Sequence, residues 1–193
     1  MKVSELVNAA KKTAFSFELL PPLKGNSIQQ VFNAIDRLKE FDPKYINITT
    51  HHSENVYQED ETGGYRKVNV RRRPGTVAIA ATIQYRYGIR AIPHIISRGF
   101  SKEETEYALI DLSFLGLTDL LLLRGDAKNL DAEQRAMDSH MYATGLQEQV
   151  NNFNEGIGYD GASFTAPEVP FSYGMACYPE KHEESPNMES EIY

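Results

Sequence analysis

Seven polar side chains stand where apolar runs end or break, and their types could do acid–base or ligand-binding chemistry: Glu18, Thr49, His94, Arg124, Asp126, Tyr178 and His182. Glu18 lies between Phe17 and Leu19 with no basic residue beside it, so burial there would favour its protonated form and suit a general acid. Spacing alone favours a plainer role, a strand-end glutamate in a structural ion pair. Asp126 follows Arg124-Gly125, where glycine would let the backbone approach a ligand closely; an aspartate after a strand is equally an ordinary turn cap. His94 and His182 belong to a residue type that more often satisfies an internal hydrogen bond than touches a ligand.

Other reactive-looking groups read more simply. His51-His52 beside Glu54 suggests a metal, but adjacent residues of an extended chain point to opposite sides and no compact ligand set accompanies them. A solvated loop pair fits better. The run Arg71-Arg72-Arg73 reads as a solvated approach to a helix. Cys177 is the one cysteine, which excludes an intrachain disulfide, and it reads as a packed thiol with nothing nearby to lower its pKa.

The elements that must position these groups alternate. A short amphipathic helix is predicted over Ser4–Lys12, then a strand over Phe15–Leu20 ended by Pro21-Pro22, which cannot donate to a sheet ladder. Ser27 caps a helix with Ile28, Val31, Phe32, Ile35 and Leu38 on one stripe. A strand over Tyr45–Thr50 leads through a polar loop to a helix opened by Pro74 and running to about Tyr87. A strand over Ala91–Ile96 precedes a helix with a Ser101/Glu104 capping box and an apolar stripe of Tyr107, Ile110, Phe114 and Leu117. Strands over Asp119–Leu123 and Ser172–Tyr178 flank a helix over Thr144–Asn154, and Met188–Tyr193 reads as the start of a further helix.

Composition bounds the class. The 193 residues are 41% hydrophobic and 24% charged, as expected for one soluble globular domain. A net charge of −7 argues against a broad nucleic-acid footprint, which needs a basic face. No run of about 18 apolar residues and no secretory leader are visible, so a cytoplasmic protein without a membrane partner is expected.

Strands alternating with helices point to a parallel sheet with right-handed crossovers, that is, an α/β fold. A doubly wound sheet would carry a glycine-rich turn after its first strand, yet Pro21-Pro22-Leu23-Lys24-Gly25 follows. A (βα)8 TIM barrel needs no such turn. Because such barrels run to about 250 residues, residues 1–193 read as a single partial barrel domain truncated after about five βα units. The seven polar residues then gather at the C-terminal strand ends, where barrel active sites lie.

The string Phe15-Ser16-Phe17-Glu18-Leu19-Leu20-Pro21-Pro22 resembles the first-strand motif of methylenetetrahydrofolate reductases. Ile48-Thr49-Thr50, Pro93-His94, Leu123-Arg124-Gly125-Asp126 and Ala176-Cys177-Tyr178-Pro179-Glu180 with His182 follow in the family's order. The resemblance implies an FAD-binding barrel that passes a hydride from NADH or NADPH to 5,10-methylenetetrahydrofolate, giving 5-methyltetrahydrofolate. Folate and nicotinamide would take turns at one flavin face. It implies Glu18 as proton donor and Asp126 as a charge near the flavin's pyrimidine side. It further implies FAD contacts from Thr49, His94, Leu123, Arg124, Gly125, Asp126, Tyr142, Ala176, Tyr178 and His182, and a homo-oligomer.

The sequence departs from the family in three places. Thr50-His51-His52 stands where the family often has Tyr-Gly. The stretch from Asn151 to Phe171 is longer than the usual connection and is expected to cross the barrel's top. The family's later strands do not follow, which leaves a catalytically incomplete fragment with a partial flavin pocket as the alternative. An unrelated barrel lyase would need a Schiff-base lysine or clustered metal ligands at the strand ends, and the sequence offers neither there.

Overall fold

The computed structural model of the protein describes residues 2–126, 138–178, 180–181 and 185–187. In chain order the elements are α1 (Val3–Ala9), β1 (Ser16–Leu19), α2 (Gln29–Leu38), β2 (Tyr45–Ile48), β3 (Glu54–Glu59), β4 (Tyr65–Val70), α3 (Thr76–Tyr87), β5 (Arg90–Ile96), α4 (Lys102–Phe114), β6 (Asp119–Leu123), α5 (Ala143–Asn154) and β7 (Ser172–Met175). Five strands form one parallel sheet in the order β1-β2-β5-β6-β7, so each strand joins the sheet beside its predecessor.

Which face of the sheet is buried decides between the two parallel architectures. Leu19, Ile46, Ile48, Ala91, Ile95, Leu120 and Leu122 share one face. They pack against Val31 and Ile35 of α2, Ile79 and Ile83 of α3, Leu109 and Leu112 of α4, and Leu146, Val150 and Phe153 of α5. The register places Glu18, Asn47, Ile92, His94, Leu121 and Gly174 on the other face. One helix-covered face with sequential strand order is the winding of a barrel; a doubly wound sheet would carry helices on both. Among the described residues the five strands do not close, and β1 and β7 are the edges.

At the N-terminal ends of the strands, α1 is tied to this inner face through Asp119. Asp119 Oδ1 accepts from the Val3 amide at 3.1 Å and from the Ser172 hydroxyl at 2.6 Å, while the Arg90 guanidinium donates to Oδ2. This buried carboxylate joins α1, β5, β6 and β7 at the end opposite the predicted site.

Several sequence expectations hold and others need correction. Ser101 and Glu104 form the predicted reciprocal cap, with Glu104 N donating to Ser101 Oγ and Ser101 N to Glu104 Oε2. Ser27 is not the N-cap of α2, a position held by Ile28 without a side-chain cap, but it stands one residue earlier and its Oγ accepts from the Gln29 amide at 3.1 Å. Pro74 does not occupy the first helical turn, since Gly75 is the N-cap of α3. The polar loop before it contains an antiparallel hairpin, β3–β4, because alternating Val56, Val68 and Val70 line one side and Asp60 closes the turn by accepting from Thr62 N and Gly64 N.

The stripe assigned to α4 was the wrong one. Thr105, Leu109 and Leu112 face the core, Leu117 is buried beyond the helix end, and Tyr107, Ile110 and Phe114 are exposed. Both sets fit a 3.6-residue period, so the pattern could not choose between them. The long connection after α5 does not cross the strand tops. It climbs the outer wall, where the Tyr159 amide donates to Glu106 and Phe164 stacks on Phe153 at 5.0 Å. The helix predicted over Met188–Tyr193 lies outside the described residues.

Candidate active site

Glu18 and His94 meet on the inner face. His94 Nε2 stands 4.0 Å from Glu18 Oε2, the imidazole side chain being 4% exposed and the carboxylate 62%. The burial expected for Glu18 is therefore absent: β1 is an edge strand whose one strand neighbour among the described residues is β2. His94 is the buried member. Its Nε2 is the one buried side-chain polar atom without a hydrogen-bond partner among the described residues. Burial lowers the imidazole pKa below its ordinary value, and the Glu18 charge opposes that shift.

The backbone fixes this imidazole. Pro93 ends the β5 pairing with β2, and the pairing with β6 begins at His94. Proline cannot donate to a ladder, and the Thr50 hydroxyl supplies a link there, donating to the His94 carbonyl at 2.6 Å. The β1–β2 ladder runs on to Thr49, whose amide donates to Leu19 O at 3.1 Å. Thr49 thus sits at the strand end as predicted, its hydroxyl 3.4 Å from His51 Nε2.

One strand further across, Leu123 leads into the Arg124-Gly125-Asp126 turn. Buried Ser97 donates its hydroxyl to the Arg124 carbonyl at 3.1 Å, and the Arg98 amide donates to the same oxygen. Ser97 is a positioning residue that the sequence reading missed; its signal was a lone serine after Ile95-Ile96. Gly125 has φ +77°, and a Cβ there would lie 3.3 Å from Ile96 Cβ. Only glycine fits that turn without strain, which leaves Asp126 exposed at the strand end.

The remaining predicted contacts are more loosely placed. Tyr142 is the exposed N-cap residue of α5, and the Arg98 guanidinium ties its neighbour to β5 by donating to Met141 O at 3.2 Å. Ala176 and Tyr178 follow β7, both exposed. Cys177 is exposed as well, so the packed-thiol expectation fails: β7 ends at Met175 and the thiol lies beyond it. His182 lies outside the described residues.

The arginine run is exposed at Arg71 and Arg72, as expected of a solvated approach to a helix, and it also forms a clasp. Arg72 pairs with Glu54 at 2.7 Å, the Arg73 guanidinium donates to Pro21 O, and Arg72 O accepts from Lys24 N. The hairpin stem is thereby fastened to the loop that follows Glu18. His51 is exposed, while His52 is partly buried against its own loop, its Nδ1 2.8 Å from Ser53 O. No group of three or more metal-capable side chains occurs among the described residues. None of their helices is long and apolar enough to cross a membrane.

A cleft lined by Arg71, Thr76, Ile95, Phe100, Tyr107 and Ala108 opens between α3 and α4. It contains none of the predicted site residues. The inner face and strand ends are the better place for an extended planar ligand. They offer an unpartnered buried nitrogen at His94 and a glycine turn with no room for a side chain, together with Arg124 and the exposed carboxylates Glu18 and Asp126. These features fit the flavin that the family resemblance implies.

A family profile described as methylenetetrahydrofolate reductase matches residues 2–193. The 5,10-methylenetetrahydrofolate reductase of Pectobacterium carotovorum is 24% identical over 177 residues, covering 92% of this chain and 47% of the relative. A Caenorhabditis elegans protein named probable methylenetetrahydrofolate reductase (NADPH) is 23% identical over 187 residues, covering 94% of this chain and 24% of its own length. The Arabidopsis thaliana methylenetetrahydrofolate reductase (NADH) 1 is 26% identical over 129 residues, covering 65% and 19%. The chain spans about half the length of the bacterial relatives it matches.

Proposed function

Since the chain belongs to the methylenetetrahydrofolate reductase family, we propose that its strand-end site reduces 5,10-methylenetetrahydrofolate to 5-methyltetrahydrofolate with NADH or NADPH through bound FAD. Residues 1–193 would supply five βα units of a (βα)8 barrel. The observation that carries the reading is the meeting of an exposed carboxylate, Glu18, with a buried imidazole whose Nε2 has no hydrogen-bond partner, His94, on the sheet face turned away from α2, α3, α4 and α5.

Thr49, His94, Leu123, Arg124, Gly125, Asp126, Tyr142, Ala176, Tyr178 and His182 would hold the cofactor. FAD, when bound there, would accept hydride from the nicotinamide and deliver it to the folate. Glu18 would give its proton to the folate nitrogen that leaves when the five-membered ring opens. The C–N bond breaks with its electron pair on nitrogen, and the one-carbon unit becomes an iminium able to take hydride. Asp126 would oppose added negative charge on the flavin ring and so adjust how readily it is reduced. Relatives named for NADH and for NADPH both match this chain, so either reductant is consistent with the reading.

Visible absorbance tests the proposal. After incubation with FAD and gel filtration, the protein should retain yellow bands that bleach anaerobically on adding NADH or NADPH. A protein that stays colourless after this reconstitution contradicts the proposal.

A further inference from the structure

The unpartnered nitrogen of His94 and the exposed carboxylate of Glu18 lie 4.0 Å apart on the inner face, close enough to act on one another as well as on a ligand. His94 sits on a central strand with its carbonyl held by Thr50, so the imidazole cannot move far. Glu18 is 62% exposed and can. Rotation about its side-chain bonds closes the 4.0 Å gap to hydrogen-bond distance.

We propose that His94 is the positioning residue for Glu18, donating its Nε2–H to Oε2 so that Oε1 carries the transferable proton on the side open to the inner face. The pairing stands on geometry alone; its use in folate reduction rests on the reductase reading. A carboxylic acid has one O–H and one carbonyl oxygen, so a donor fixed on one oxygen assigns the proton to the other. During transfer the Oε1–H bond breaks and the proton passes to the leaving nitrogen. Glu18 remains as a carboxylate held by the same Nε2–H, and a proton taken up from bulk solvent reloads Oε1. His94 ends as it began.

This arrangement requires a neutral imidazole, because an imidazolium at this distance would hold Glu18 as the carboxylate with no proton to give. Burial supplies that neutrality, against the pull of Glu18. Among the described residues, the flanking strands place Asn47 and Ile48 of β2 and Leu121 and Leu122 of β6 beside His94, none of which titrates. Glu18 is the charged group that acts on it.

The test follows the folate half-reaction of FAD-loaded protein against pH in wild type, His94→Gln and His94→Leu. Wild type should show an acid-side fall in rate as His94 gains its proton; glutamine keeps an N–H donor that cannot take a charge, so it should abolish that fall. Leucine should slow the step by about 10- to 100-fold, and that loss should vanish in a Glu18→Gln background. An unchanged acid limb in His94→Gln, or a full leucine effect without Glu18, overturns the proposal. A readout independent of turnover is the pH titration of the His94 ring Cε1–H resonance, which should move to lower pH in Glu18→Gln. Superimposable curves overturn the pairing even if the protein is a reductase. A shifted curve in a protein that never takes up FAD would uphold the pairing and sink the functional reading.

Discussion

A Cβ on Gly125 would stand 3.3 Å from the Cβ of Ile96, on a backbone held at φ +77°. The turn between Arg124 and Asp126 therefore depends on a missing side chain. Gly125→Ala should lower stability by about 1–2 kcal/mol, from left-handed strain plus crowding of β5. It should also weaken FAD retention, because the Arg124 carbonyl would shift from Ser97 Oγ. Urea unfolding and flavin titration measure the two effects. Wild-type values in both would show that the turn relaxes freely.

At the opposite end of the strands, Asp119→Ala leaves the Arg90 guanidinium without its partner and the Val3 amide and Ser172 hydroxyl without their acceptor. Removing one member of a buried charged pair costs about 3–5 kcal/mol; Arg90 keeps a quarter of its exposure, which places the expected loss near the lower end, about 3 kcal/mol. The denaturant midpoint should fall without a change in flavin affinity per folded molecule. A loss under about 0.5 kcal/mol would mean that the cluster is solvated.

Stability should depend on pH through His94. Burial holds its folded pKa below the ordinary 6.5, so the unfolded chain binds the proton more readily. Above about pH 6.5 both states are neutral there and the contribution is fully present; as pH falls toward the folded pKa it is lost. His51, exposed at its surface yet partly desolvated by its loop, is lowered chiefly by that desolvation and next by Arg73, and acts in the same direction with less weight because solvent screens it. His94→Gln should flatten the decline in unfolding free energy between about pH 7 and 5. A slope identical to wild type would show that His94 titrates alike in both states.

Much of this architecture is legible in the sequence because its signals are local. Asp119–Leu123 is an apolar run with one strand period, and the Ser101/Glu104 cap is a pair three residues apart, so both follow from neighbouring residues. The strand-end positions of the candidate residues were legible because strand ends are readable from the sequence. What escaped depends on packing across the fold. The exposure of Glu18 follows from the edge position of β1, and the choice between the Leu109/Leu112 and Ile110/Phe114 stripes follows from which side of α4 meets the sheet. The Arg72 and Arg73 clasp depends on a hairpin whose valines alternate within a polar stretch, and Ser97 gains its role only from the neighbouring strand's Arg124 carbonyl.

Asp126 is exposed beside the Gly125 turn, and the proposed function places its charge near the flavin. Asp126→Asn should make the bound flavin easier to reduce, seen as a more positive potential in a dye-equilibrated titration, while weakening the folate half-reaction. An unchanged potential would remove Asp126 from the flavin's surroundings.

The most direct measurement compares the two half-reactions in wild type and Glu18→Gln by anaerobic stopped-flow absorbance. Reduction of the flavin by NADH or NADPH needs no acid and should persist in the variant, whereas reoxidation by methylenetetrahydrofolate should slow by about 10²- to 10⁴-fold. Near-normal reoxidation in Glu18→Gln would contradict the assignment of Glu18 as the proton donor.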